Sequence, residues 1–134
     1  MISTKEILSK YKNVALVGAS GDLTKTSSIV MKYLQNSGFK VYPVNPNLKG
    51  QKILGEIVFG KISEIKSPVE IIDVFRPSNE AIEIAKEAVK IGAKVLWLQL
   101  KIKSEEAKKI VETNNMIYIE DKCTKIEIEK FINK

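Results

Sequence analysis

Asn13-Val14-Ala15-Leu16-Val17-Gly18-Ala19-Ser20-Gly21-Asp22 joins a continuous apolar run to a loop of small residues. The run lacks the alternation of a half-exposed strand, so it reads as a strand covered on both faces. Beyond the loop, Ile29, Val30, Tyr33 and Leu34 recur at helical spacing, and Gly38 stands where a helix ends at little steric cost. Residues 39–44 then return as a second strand, closing a β-loop-α-β unit. Small side chains at Gly18, Ala19, Ser20 and Gly21 let backbone N–H groups approach a phosphate, and the following helix turns its positive end toward the same place. Hydroxyls at Ser20, Thr24, Thr26, Ser27 and Ser28, with the ammonium of Lys25, add donors and charge.

The end of the second strand narrows the ligand. Chains that bind NAD carry an Asp or Glu about 20 residues beyond the glycine turn, where it holds the ribose 2′-hydroxyl. Here Pro43-Val44-Asn45-Pro46 occupies that region, followed by Lys49, and the third glycine of the dinucleotide fingerprint is missing. The loop does not run into Gly-Lys-Ser/Thr, so an ATPase P-loop is not supported either.

Outward from this unit, strands and helices continue to alternate. Ser3-Thr4-Lys5-Glu6 has the capping-box spacing of a helix start. Residues 46–68 are the least regular, with a turn at 47–50, short extended pieces at 53–54 and 57–59, and one helical turn at 61–65. Further strands are expected at 70–75, 94–99 and 116–119. Between them lie helices starting near Ser78 and Ser104, and Thr124-Lys125-Ile126-Glu127 repeats the capping-box spacing. The pattern predicts one domain over 1–134: an α/β, Rossmann-like open parallel sheet of five strands, order 3-2-1-4-5, with helices on both faces. In such a sheet ligands bind at the carboxyl ends of the strands. That edge collects Gly18 to Gly21, Asn45, Pro46, Phe75-Arg76-Pro77, Gln99 and the segment Glu120-Asp121-Lys122-Cys123.

Composition excludes several classes. Of 134 residues, 22 are Lys or Arg and 16 Asp or Glu, for a net charge of +6. All but one of the cations are lysines interleaved with glutamates, without an aromatic series, which is a solvated surface and not a nucleic-acid interface. No apolar run reaches membrane-spanning length, and no signal-peptide pattern is present, so a cytoplasmic location is expected. There is no histidine and a single cysteine, Cys123, which removes the commonest general base and any cysteine metal cage; neither catalysis nor a metal is expected. The one arginine, Arg76, ends a strand before a helix-starting proline, where its fork of donors can grip phosphate. Asn45 offers amide groups on a stiffened loop, and Trp97 reads as core before it reads as a stacking platform.

The runs Val17-Gly18-Ala19-Ser20, Tyr42-Pro43-Val44-Asn45-Pro46, Ile53-Leu54-Gly55, Asp73-Val74-Phe75-Arg76, Trp97-Leu98-Gln99 and Asp121-Lys122-Cys123-Thr124-Lys125-Ile126-Glu127 together resemble the stand-alone CoA-binding proteins. These are related to the CoA-binding domain of the succinyl-CoA synthetase alpha subunit. The resemblance implies a holder of coenzyme A or an acyl-CoA with no reaction of its own. It implies that Gly18 to Ser20, Lys25, Ser27 and Ser28 line the phosphates, that Pro43, Val44, Asn45 and Pro46 flank the adenosine, and that Phe75, Arg76 and Pro77 border the pantetheine and the phosphates. Lys49 would suit the 3′-phosphate of CoA. The chain departs from the family pattern at Ser27-Ser28-Ile29, where a bulky polar residue is frequent, and at Leu100-Lys101, where glycine is usual. Two other readings stay open: a binder of another phosphorylated nucleotide such as NADP, and a CoA-binding partner subunit of a ligase-type enzyme. A homo-oligomer is also left open. Cys123 follows the fifth strand on the pantetheine edge, where a mixed disulfide with CoA is one outcome and a buried inert thiol the plainer one.

Overall fold

The computed structural model describes residues 2–132. Five parallel strands form one sheet: β1 (Asn13–Val17), β2 (Lys40–Val44), β5 (Ile71–Val74), β6 (Val95–Leu98) and β7 (Ile117–Ile119). The short strands β3 (Lys52–Ile53) and β4 (Glu56–Ile57) pair antiparallel beside it. The helices are α1 (Thr4–Lys10), α2 (Thr26–Asn36), α3 (Ala81–Lys90), α4 (Glu105–Thr113) and α5 (Thr124–Ile132).

Two apolar layers explain the continuous hydrophobic strands. On one face Leu16, Ile71 and Trp97 pack with Ile7 and Leu8 of α1, Met31 and Leu34 of α2, and Ile128 of α5. On the other, Ala15, Ile72 and Leu96 pack with Ala81, Ala85 and Ala88 of α3 and with Ala107 and Val111 of α4. Neighbouring residues of one strand thus enter different cores, so a one-residue slip of register would exchange the two sets and misfit both cores. Trp97 belongs to the core: it is fully buried, and its indole N–H donates to the Lys122 carbonyl at 2.8 Å.

The fold class stands, and the strand order needs a correction. The sheet runs β2-β1-β5-β6-β7, so the strand expected at the edge beyond β2 lies instead on the other side of β1. The position beyond β2 is taken by a single parallel bridge, Val44 to Phe59. There Phe59 N–H donates to the Pro43 carbonyl and Asn45 N–H to the Phe59 carbonyl, both at 2.9 Å. The doubly wound order is preserved if residue 59 is counted as a third strand shrunk to one rung. The extended piece at 57–59 was too short to be given that rank from its sequence. Because the chain crosses from β2 back over β1 to β5, the switch in strand order falls between β1 and β5.

Helix starts follow the local chemistry with two exceptions. Ser3 and Glu6 form the reciprocal capping box, and Ser104 Oγ accepts from Ala107 N–H. Ser78 instead opens a 3₁₀ turn ahead of α3, and its hydroxyl accepts from Lys103 N–H at 3.0 Å. Thr124 and Glu127 do not close a capping box. The Thr124 hydroxyl donates to buried Asp73, and Glu127 accepts from Thr4 at 2.8 Å, so long-range partners have displaced the local one.

Lys101, in the Leu100-Lys101 pair where the resemblance led glycine to be expected, adopts φ 69°, and its N–H donates to Asp121 Oδ1 at 2.7 Å. A side chain in this left-handed region is strained by roughly 1–2 kcal/mol. Lys101→Gly is expected to raise stability by about 0.5–1 kcal/mol, after the greater unfolded-state entropy of glycine is counted. Urea denaturation measures it, and Lys101→Val should move the midpoint the other way.

Candidate functional site

The site grows from one backbone feature. Gly18 leaves β1 at φ +97°, and its N–H and that of Ala19 both donate to the Val44 carbonyl, at 3.0 and 3.2 Å. The first loop is thereby fastened to the end of β2. On its other side Gly18 lies against the next strand: a Cβ there would stand 3.0 Å from the Phe75 carbonyl oxygen and 3.1 Å from Arg76 Cδ. Glycine is required here by conformation and by space together.

Asn45 completes the fastening. Its Nδ2 donates to the Ala19 carbonyl at 2.8 Å, and its Oδ1 accepts from Asn47 N–H at 2.8 Å, capping the 3₁₀ turn Pro46–Leu48. The amide therefore holds two loops in register. Ser28, 3% exposed, works the same way beneath the glycine loop: its hydroxyl lies 3.0 Å from the Ser20 carbonyl and 2.9 Å from that of Asp22, a shared hydrogen bond. Asp22 in turn accepts from the Thr24 hydroxyl and N–H, which hold its carboxyl below the usual carboxylate range.

The start of α2 is left open to an anion. Lys25 at its N-cap makes no side-chain capping bond, and the first turn holds no acidic residue. By contrast α1, α3, α4 and α5 each carry a Glu in the first turn. The first turn of α2 thus adds no acidic side chain to the helix's positive end, while the carboxylate of Asp22, in the loop ahead of it, is bonded to Thr24.

Two clefts meet over Gly18. A wide trough of about 640 Å³ runs past Ala19, Ser20, Lys25, Ser27 and Phe75. A narrow cleft of about 220 Å³ lies between Val44, Pro46, Lys61, Ile62 and Ile84. Gly18, Asn45, Asn47 and Arg76 line both. Of the residues expected from sequence, Ser28, Pro43, Lys49 and Pro77 line neither. Lys49 pairs with Glu64 at 3.2 Å, and Glu64 also accepts from Gly60 N–H, which keeps that carboxyl low. The cation the fold brings to the narrow cleft is Lys61, hidden from sequence reasoning in the irregular segment. Ile62 and Ile84 were likewise missed.

Arg76 reaches the junction already paired. Its Nε donates to Glu80 Oε1 at 3.0 Å and a terminal nitrogen to Oε2 at 2.7 Å. The pair raises the guanidinium's affinity for its proton and holds Glu80 low.

Below the site lies a buried polar cluster built from the ends of three elements. Asp73 on β5 is fully buried and accepts from Gln99 Nε2 and, at 3.0 Å, from the Thr124 hydroxyl; Gln99 Nε2 also lies 3.2 Å from Thr124 Oγ1. Burial pushes the Asp73 carboxyl up to about 7, against the two hydrogen bonds that favour its charged form. Cys123, next in chain to Thr124, is 7% exposed within the core that covers β1.

An open parallel sheet with an uncapped helix start and a glycine turn at its switch point defines a Rossmann-like nucleotide-binding architecture. The chain belongs to the CoA-binding domain family, whose model matches residues 12–129. It is 34% identical over 122 residues to the uncharacterized protein YneT of Bacillus subtilis, covering 91% of this chain and 89% of that one. The solved structure of a hypothetical protein from Pyrococcus horikoshii OT3 superposes with a TM-score of 0.92 at 36% identity, over 96% of this chain and 89% of the other. The acetate–CoA ligase (ADP-forming) of Methanocaldococcus jannaschii is 28% identical over 87 residues, which is 65% of this chain and 12% of the ligase. No helix among the described residues is long and apolar enough to cross a membrane.

Two outcomes follow from this geometry. Gly18→Ala should cost about 1–3 kcal/mol, through the left-handed φ and the crowded Phe75 carbonyl, and chemical denaturation would register it. Asp73 binds its proton more tightly folded than unfolded, so its contribution to stability falls as pH rises from about 4 to about 7, by up to about 4 kcal/mol. Carboxyls held low, such as Glu80 and Asp22, act in the opposite sense and below that window. Asp73→Asn should flatten the stability profile between pH 5 and 7; a profile parallel to that of the wild type would refute the raised carboxyl.

Proposed function

We propose that this chain is a non-catalytic holder of coenzyme A or an acyl-CoA, bound across the two clefts at the carboxyl edge of the sheet. The observation that carries the reading is their meeting at Gly18, Asn45 and Arg76, beside a helix start whose first turn carries no acidic residue. Membership of the CoA-binding domain family supports it, and so does the missing acid after β2, since CoA carries a phosphate on its ribose where NAD carries hydroxyls. In this reading the pyrophosphate lies along Ala19, Ser20, Lys25 and Ser27, with the N–H groups of α2 facing it. The adenosine uses the narrow cleft walled by Val44, Pro46 and Ile62, where Lys61 stands in the place first given to Lys49. Asn45, Pro43 and Ser28 shape this surface by holding its loops, and Phe75 with Pro77 borders the route of the pantetheine arm.

A second reading makes the chain a CoA-binding partner of a separate ligase-type subunit. What favours it is the match to one stretch of a much longer acetate–CoA ligase. NADP or another phosphorylated nucleotide is the competing ligand, and a cytoplasmic location goes with either.

Calorimetric titration with CoA, dephospho-CoA, NADP and NAD separates these readings. CoA should bind tightest and dephospho-CoA more weakly; NAD binding as well as CoA would sink the assignment. Arg76→Gln should weaken CoA by about 1.5–3 kcal/mol, the range of a hydrogen bond to a charged group.

A further inference from the structure

The only arginine of the chain sits at the junction of both clefts, yet its donors are turned onto a carboxylate of the same chain. Glu80 holds Arg76 through two parallel hydrogen bonds, the arrangement by which a guanidinium also holds a phosphate. Glu80 lines the narrow cleft with Arg76 and is absent from the lining of the trough. The stem of Arg76 lies over Gly18, so the head can pass between the clefts by side-chain rotation alone. The two side chains are 47% and 44% exposed, and a pair so open to water is weakly held.

We propose that Glu80 is an internal substitute for the ligand's phosphate: it holds Arg76 until a polyanionic ligand takes the guanidinium over, and so sets how much negative charge a ligand needs to bind. This rests on the reading of the junction as a phosphate site. A pyrophosphate, with two charges shared over its two phosphorus centres, competes well against one carboxylate, whereas a neutral or weakly charged group leaves the pair closed. On release Glu80 is rehydrated where it stands, so the exchange needs no other movement. Glu87 also lines the narrow cleft, but its carboxylate accepts from Ser63 N–H, and it has no part in the exchange.

CoA is titrated calorimetrically into the wild type, Glu80→Gln, Glu83→Gln, Arg76→Gln and the Arg76→Gln/Glu80→Gln double variant, each first checked for an unaltered melting transition. Glu83 lies one residue group further along α3 and pairs with Lys86, so its variant removes the same charge away from the clefts. Glu80→Gln should bind CoA five- to tenfold tighter and Glu83→Gln within twofold of the wild type. The double variant should bind no tighter than Arg76→Gln alone. Wild-type binding that is unchanged or weakened by Glu80→Gln overturns this inference and leaves the CoA reading intact. If CoA binds to none of the proteins, the CoA reading fails, and inorganic pyrophosphate titrated into the same set decides the exchange. A gain in Glu80→Gln that vanishes with Arg76→Gln supports it, and equal affinities for wild type and Glu80→Gln overturn it.

Discussion

The Val44 carbonyl receives two N–H groups, from Gly18 and Ala19, and the geometry of the whole sheet edge hangs on that convergence. It joins the ends of β1 and β2 and turns the chain at Gly18 into the left-handed region. It also brings the glycine within van der Waals reach of Phe75 and Arg76 on the neighbouring strand. Three strand ends are thereby locked at one point, and the amide of Asn45 ties the loops above them. A ligand arriving there meets a surface whose backbone is already in place, so little ordering opposes binding.

Much of this was legible in the sequence, because it is written in residues with few conformational alternatives. The apolar run 13–17, the glycine after it and the small residues beyond could hardly form anything except a buried strand and a tight turn. Arg76 announced itself by standing between an apolar strand and a proline. What escaped was decided by partners far apart in sequence. The bridge at Phe59 is a single rung, below the length at which a strand has a pattern, and the strand order was misnumbered for that reason. Thr124 and Glu127 have capping-box spacing, but Asp73 and Thr4 outbid the local hydrogen bonds. Lys49, read from sequence as apt for a phosphate, pairs with Glu64 and stands outside both clefts.

The cluster of Asp73, Gln99 and Thr124 shows how motif and contact can differ. Three of the runs that carry the family resemblance, ending β5 and β6 and starting α5, meet inside the protein. Their polar residues satisfy one another in a space with no solvent. An unpaired member would be expensive, so the three constrain each other. They position the strand from which Phe75 and Arg76 emerge, and Trp97 pins the next loop through the Lys122 carbonyl. A sequence signature can thus mark the foundation of a site as strongly as its surface.

The wall of the narrow cleft has the opposite character. Residues 58–62 join the sheet through the one rung at Phe59, whereas β1 is paired along its length on both sides. Apart from Val58 and Ile62, which are buried in the two cores, exchanges in such a segment disturb one rung of the sheet and no more. The fold therefore divides its constraints unevenly: the floor at Gly18 is fixed by the strands on both sides, and the exposed part of the wall against it is held by little. Descendants of one ancestral chain can in this way change what lies beside the glycine turn while keeping the turn itself.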